Sequence, residues 1–333
     1  MVKPGYPLVT VIIPVYNAGE YLAQTINTVL AQTWQNLEII IVDDGSTDNS
    51  LAIAKKHEGK NIKVFSQQNA GSGVARNRGI KEASGDYIQF LDADDLLSVN
   101  KIADQLISLN NNPGKVAVCS TVHFLDGEDP FKNTPSAYED SFLCTTDYPA
   151  DFLINLYGGD NNRGSMIQTG AWLTPANIIE KAGKWSEFYS PDDDGDYFCR
   201  VLLASTGIVY ADNCFVYYRK YAQNNNLASI KTEQALDGKI QSFLIKKQHL
   251  LNATNSLTAK KALAHSAMDL AIQTYPAHKY LTVKLLTVIT ELGGTDYIPQ
   301  MGGKYIDLIK TVFGWKLARR LQFYLHKLKS SSI

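Results

Sequence analysis

The chain has 333 residues, 32 Lys and Arg against 33 Asp and Glu, and a net charge of −1, so no global field draws it to nucleic acid or to anionic lipid. Hydrophobic content of 45% with 20% charged residues excludes a disordered chain and supports a large core in one or two domains. Four cysteines without CxxC or metal-type spacing exclude a disulfide scaffold and fit a reduced compartment. The first apolar run, Leu8 to Ile13, stops at Pro14, short of a signal-peptide core, and no stretch approaches the roughly 18 apolar residues of a membrane span. The expectation is a cytoplasmic protein.

In chain order, Leu8 to Ile13 reads as a buried strand ended by Pro14. Leu22, Ile26, Val29 and Leu30 then fall at helical spacing, and Leu37 to Val42 is a second strand that halts at Asp43-Asp44-Gly45. Ser46 to Ser50 supplies cap-type residues, near Asn49, for a helix from Leu51 to His57. Ile62 to Phe65 is a third strand, Gly71 to Ala83 a helix, and Asp86 to Leu91 a fourth strand running into Asp92-Ala93-Asp94-Asp95. This alternation predicts an α/β fold with a mainly parallel sheet and helices on both faces. Val116 to Phe124 and Ile208 to Tyr218 are strand-like. Residues 131–148 read as a surface loop over the site, and helical patterning alone follows Thr232. We place the domain border near Asn224-Asn225-Asn226, giving 1–225 as catalytic domain and 226–333 as a helical C-terminal region.

Several strand ends carry chemistry, and in open α/β sheets such ends line the ligand crevice. Asp92-Ala93-Asp94-Asp95 offers hard oxygen donors that suit Mg²⁺ or Mn²⁺, a cation that takes one or two carboxylates plus substrate phosphates. A capping turn accounts for the same residues. Asp43-Asp44 can accept from a ribose hydroxyl or a base N–H, or cap a helix. Asn69-x-Gly71-x-Gly73 opens a helix bearing Arg76 and Arg78 and reads as a phosphate cradle or diphosphate approach. It departs from the dinucleotide fingerprint, whose third glycine falls on Arg76, and this disfavours a nicotinamide oxidoreductase. Asp192-Asp193-Asp194-Gly195-Asp196 holds more acid than helix capping requires, and crowding raises the proton affinity of at least one carboxylate, a candidate general base.

Pro14-Val15-Tyr16-Asn17, Val42-Asp43-Asp44-Gly45-Ser46, Asn69 to Gly79, Gly85 to Asp95 and the later acidic run occur in the order seen in family 2 glycosyltransferases of the GT-A fold. The chain resembles that family from about Leu8 to Tyr221. The resemblance implies an inverting transferase that moves a sugar from a nucleotide-diphosphate sugar, a UDP-sugar first, to a saccharide or lipid-linked hydroxyl in cell-surface polysaccharide synthesis. A non-catalytic sugar-nucleotide or glycan-binding protein on the same fold is the alternative. By position, Pro14, Tyr16, Asp44, Arg76, Asp92 and Ala93 fall on the nucleotide side, Tyr16 on the base. Asp94, with Asp92, falls on the divalent metal, and Asp194, then Asp193, on the base that deprotonates the acceptor. The acids are expected to approach from the side opposite the nucleotide carboxylates. Tyr221 stands where many relatives carry a His. Gln168 to Trp172 falls at a sugar or acceptor pocket, although a core Trp fits equally.

From Leu308 to Ile333 there are six Lys or Arg and no acid. With Leu317, Leu321, Leu325 and Leu328 at helical spacing, this is a basic amphipathic helix suited to peripheral contact with the inner face of a membrane, to docking on its own protein, or to a homo-oligomer contact.

Overall fold

Strand β1 (Val9–Val15) lies between two parallel neighbours, β2 (Leu37–Asp43) and β4 (Tyr87–Phe90), in register Ile12↔Ile40 and Ile12↔Phe90. The computed structural model describes residues 6–159, 163–221 and 232–330. Because Val9, Val11, Ile12, Ile13, Ile40 and Ile41 are all buried, these strands carry continuous apolar runs rather than an alternation, as a parallel sheet covered on both faces requires. The remaining strands are β3 (Ile62–Ser66), β5 (Leu96–Leu97), β6 (Lys115–Leu125), β7 (Trp172–Pro175) and β8 (Gly207–Lys220), in the order β3-β2-β1-β4-β7-β6-β8-β5. β7 runs antiparallel to β4 and β6, and β5 antiparallel to β8. The sheet is therefore mixed and mainly parallel.

The chain leaves β1 for β2 and β3 on one side and returns to β4 on the other. The gap outside the carboxyl ends of β1 and β4 is thus the switch point of the sheet, where a crevice must open. Helices α1 (Leu22–Leu30), α2 (Ser50–Lys56) and α3 (Ser72–Glu82) make the crossovers, followed by α4 (Lys101–Leu109), α5 (Ala137–Asp140), α6 (Pro149–Leu156), α7 (Ala176–Ala182) and α8 (Asp193–Ala204). α3 sits tight on β1, since a Cβ at Gly79 would come within 2.3 Å of Ile12 Cγ2.

The described residues form two units, one of 6–152, 166–189 and 193–221, the other of 153–159, 163–165, 190–192 and 232–330. The border expected near Asn224 to Asn226 lies outside the described residues. The second unit contains α9 (Glu233–Ala253), α10 (Leu257–Thr274), α11 (Lys279–Glu291), α12 (Lys304–Phe313) and α13 (Trp315–Ser330). Thr232 and Ser256 cap α9 and α10 with side-chain oxygens that accept the Ala235 and Ala259 amides. Buried Ala259, Ala262, Ala264, Ala267 and Ala271 let the neighbours of α10 approach closely.

Two local expectations change. Asn49 is the N-cap of α2 but makes no side-chain cap bond, and Asp48 Oδ1 instead accepts the Ser50 amide at 2.9 Å. Residues 131–148 pack on the β6–β8 part of the sheet: Phe131 meets Tyr217 edge-on, Glu139 accepts from His123, and Thr146 pairs with Ile208.

Candidate active site

Tyr16 follows β1 at the switch point, and its ring is 54% exposed. The next residue fixes its loop. Asn17 takes φ of 50°, a left-handed conformation that Asn tolerates, donates its amide to Ser46 Oγ at 3.0 Å, and accepts the Thr47 amide at 2.8 Å. The loops after β1 and β2 are thereby tied together, with Pro14 opposite Val42 in the ladder.

Asp44 is buried, and the chain's own donors fill it. Oδ1 accepts from Gln67 Nε2 at 2.9 Å and from the Ala70 amide at 3.0 Å, and Oδ2 accepts the Gly71 amide at 2.8 Å. Those amides belong to the glycine-rich entry of α3, so the expected phosphate cradle is taken up by a carboxylate. Its glycines answer to shape: Gly71 has φ of 98°, and a Cβ on Gly73 would lie 2.4 Å from the Ser186 carbonyl. Asp43, read with Asp44 in the sequence, accepts from Ser66 Oγ at 3.2 Å through Oδ2, while its Oδ1 is buried without a partner among the described residues.

Arg76 joins two motifs that lie far apart in sequence. Its Nη2 donates to Asp92 Oδ1 at 2.8 Å, its Nη1 to Asp193 Oδ2 at 2.9 Å, and its guanidinium stacks over Trp185 at 4.3 Å. Burial works against that charge, but Asp193 and then Asp92 outweigh it and raise the Arg76 pKa above its ordinary value. Ser72 Oγ donates to the same Asp193 oxygen at 2.7 Å. The acidic run therefore reaches the crevice beside Asp92, not from the side opposite it. Trp185, stacked on Tyr197 at 3.9 Å, is the platform beneath Arg76, and no sequence motif marked it.

Most of the acidic run is neutralised locally. Asp192 pairs with Lys246 at 2.6 Å, and Asp196, fully buried, pairs with Arg200 at 3.0 Å. Lys246, Arg76 and Arg200 thus relieve the crowding at Asp192, Asp193 and Asp196. Asp193 and Asp194 open α8, and Asp194 Oδ1 accepts the Gly195 amide at 2.8 Å.

After β4 the chain turns through Asp92 to Asp95. The carbonyl of buried Ala93 accepts from Thr25 Oγ1 at 2.9 Å. Asp94 Oδ2 accepts from the Tyr221 hydroxyl at 2.6 Å, and its carbonyl accepts from Arg219 Nε at 3.0 Å. Arg219 also holds Asp126 and Gln24, each at 2.8 Å. Burial raises the Asp94 pKa; the Tyr221 hydroxyl opposes the rise and the Asp92 charge adds to it. Burial and the Asp94 charge likewise push the Tyr221 hydroxyl up, so it stays a donor. Among the described residues no group of three or more His, Cys, Asp or Glu forms an all-protein cage. Asp92, with Oδ1 on Arg76, and Asp94, with Oδ2 on Tyr221, each keep a carboxylate of the hard-oxygen type that a divalent cation shared with substrate phosphates takes. Trp172 is a core residue, buried and stacked on Phe198 at 5.2 Å.

Carboxylates thus gather at the switch point of a mixed, mainly parallel sheet, the architecture of the GT-A fold. Residues 10–165 match the sequence profile Glycosyl transferase family 2. A Streptococcus pneumoniae glycosyltransferase, GlyG, is 29% identical over 221 residues, 64% of this chain and 71% of that protein. An uncharacterised Rickettsia typhi glycosyltransferase is 34% identical over 211 residues, 62% of each. The fold resembles the crystal structure of Staphylococcus aureus TarS residues 1–349 in complex with UDP-GlcNAc, with a TM-score of 0.58 and 18% identity over 89% of this chain and 95% of that one. Just under half of the chain thus matches the family 2 glycosyltransferase profile, and the relatives it resembles are named glycosyltransferases.

Proposed function

We propose that this chain is a family 2 glycosyltransferase that moves a sugar from a UDP-sugar to a hydroxyl of a saccharide or lipid-linked acceptor, with inversion, in the building of a cell-surface polysaccharide. The observation that carries the reading is the Arg76 bridge between Asp92 and Asp193 at the switch point. It joins a carboxylate on the nucleotide side to the start of the acidic helix, α8. TarS, which shares the fold, has been solved with UDP-GlcNAc and with UDP.

In this mechanism the exposed Tyr16 ring packs on the base, and the Asp44 loop shapes the pocket beside it. Asp92 and Asp94 would hold a divalent cation, which when bound neutralises charge on the departing diphosphate. Asp193 already spends one oxygen on a guanidinium and a hydroxyl, so it positions α8. Asp194 is the general base: it takes the acceptor proton while the acceptor oxygen attacks the anomeric carbon and the nucleoside diphosphate leaves. A single displacement inverts the configuration.

The test is thermal stabilisation by UDP-, GDP- and dTDP-sugars with and without Mn²⁺, because a ligand that binds only the native state raises apparent stability by mass action. UDP-sugars should raise Tm more with Mn²⁺ present, and the best of them should be hydrolysed or transferred. Stabilisation by GDP- or dTDP-sugars alone overturns the donor, and stabilisation without any turnover favours a binding protein.

A further inference from the structure

The last two helices of the second unit turn apolar side chains outward. On α12, Tyr305, Leu308 and Val312 share one face by helical spacing and are 84%, 62% and 62% exposed. On α13, Leu317, Leu321 and Tyr324 repeat the pattern at 40%, 40% and 57%. These are not the contacts that dock α13. Ala318 is its fully buried residue among those described, and Arg319 Nε donates to the carbonyls of Ile272 at 3.0 Å and Tyr275 at 3.2 Å. α12 is amphipathic in sequence yet buries none of its side chains. A helix that exposes its leucines and covers nothing with them carries a surface for something else.

Charge selects the occupant. From Leu308 onward the sequence has six Lys or Arg and no Asp or Glu. Asp307, the acid of α12, is already paired with Lys310 at 3.1 Å. A second copy of this chain would set these cations against their like, whereas the negative potential of an anionic bilayer complements them. Tyr sits well at the headgroup level, where the exposed Tyr305 and Tyr324 would lie. No described helix is long and apolar enough to cross a membrane, so the segment lies on the surface.

We propose that α12 and α13 seat this protein on an anionic membrane, their outward leucines in the headgroup–acyl boundary and the exposed Lys316 and Arg320 on lipid phosphates. The full chain is floated with vesicles of phosphatidylcholine alone and of phosphatidylcholine with phosphatidylglycerol. It should float with the anionic vesicles only, and release as salt shortens the Debye length. The double variant Leu308→Glu/Leu321→Glu should bind on the order of tenfold less, and Lys316→Glu/Arg320→Glu should lose the anionic preference, each with Tm unchanged. Failure of the wild type to float with anionic vesicles, or equal flotation of both variants, overturns the proposal. A wild-type dimer by light scattering that Leu308→Glu/Leu321→Glu dissociates, without vesicle binding, overturns it in favour of a second copy.

Discussion

Arg76 Nη1 and Asp193 Oδ2 stand 2.9 Å apart although 117 residues separate them. The same guanidinium holds Asp92, and Trp185 supports it from below. One buried cation thus sets the distance between the carboxylate after β4 and the first turn of α8. Truncating one partner of a buried pair costs about 3–5 kcal/mol because the other charge is left stranded; here Asp92 is 34% exposed, which discounts its share. Arg76→Met should lower stability by about 3 kcal/mol and abolish UDP binding. Arg76→Lys cannot reach both acids with one fork and should fall between the two. Urea midpoints of the three proteins check the order, and a wild-type midpoint for Arg76→Met refutes the strut.

Tyr16 makes the opposite case, an aromatic whose ring is more than half exposed. Its removal should cost little fold stability but weaken UDP by about 1 kcal/mol or more, the value of a ring stacking on a base. Calorimetric titration of UDP into Tyr16→Ala checks this. Unchanged affinity would leave Tyr16 as ordinary surface.

Lys101 gives a pH prediction away from the site. It is fully buried, hydrogen-bonded to Gln89 Oε1, and burial pulls its pKa down to about 8, with Cys119 and Cys214 opposing. Between that value and the ordinary lysine value of about 10.4, the unfolded chain binds a proton that the folded one does not. Stability attributable to Lys101 therefore rises with pH across that window. In Lys101→Met the rise should vanish, the wild type gaining up to about 1.4 kcal/mol per pH unit over the variant. Denaturation curves at pH 8 and pH 10 read the difference, and parallel behaviour of the two proteins would refute it.

Tyr221 holds Asp94 Oδ2 at 2.6 Å, an oxygen that a cation shared with the diphosphate would need. At pH 8, Tyr221→Phe should tighten Mn²⁺ in the presence of UDP by roughly tenfold, the scale of one hydrogen bond to a charged group. UDP affinity without Mn²⁺ should stay put. Titrations with and without Mn²⁺ separate the two, and weaker Mn²⁺ binding in the variant would make Tyr221 a support of the cation site instead.

Much of this was readable from sequence because it is local. The runs Leu8 to Ile13 and Leu37 to Val42, each ended by Pro14 or Asp43, announce parallel strands whose ends face a crevice. β5 and β7 escaped notice because two and four residues are too short for any periodicity. The glycine-rich motif was visible, but its reason was not, since Gly73 and Gly79 answer to Ser186 and Ile12 through space. Charge pairing is equally non-local. Asp192 and Asp193 read as part of one crowded run until Lys246 and Arg76 arrive from distant parts of the sequence, whereas Arg200 meets Asp196 from one turn along α8.

That pairing sharpens the choice of base. Asp193 Oδ2 is committed to Arg76 and Ser72, and an oxygen with two donors on it has little room for an acceptor hydroxyl. Asp194 begins the same helix with its Oδ1 on the Gly195 amide. Asp194→Asn keeps that acceptor and removes the basicity, so UDP and Mn²⁺ binding should persist while transfer falls by about 10² to 10⁴, the span of general-base catalysis. Asp193→Asn should instead loosen Arg76, and so lower Tm and donor affinity together with rate. Single-turnover transfer measured beside UDP titration distinguishes the two. If Asp193→Asn alone loses transfer while keeping Tm and UDP affinity, Asp193 is the base and Asp194 the support. If both variants transfer at the wild-type rate, the acceptor is activated by a group outside the acidic run.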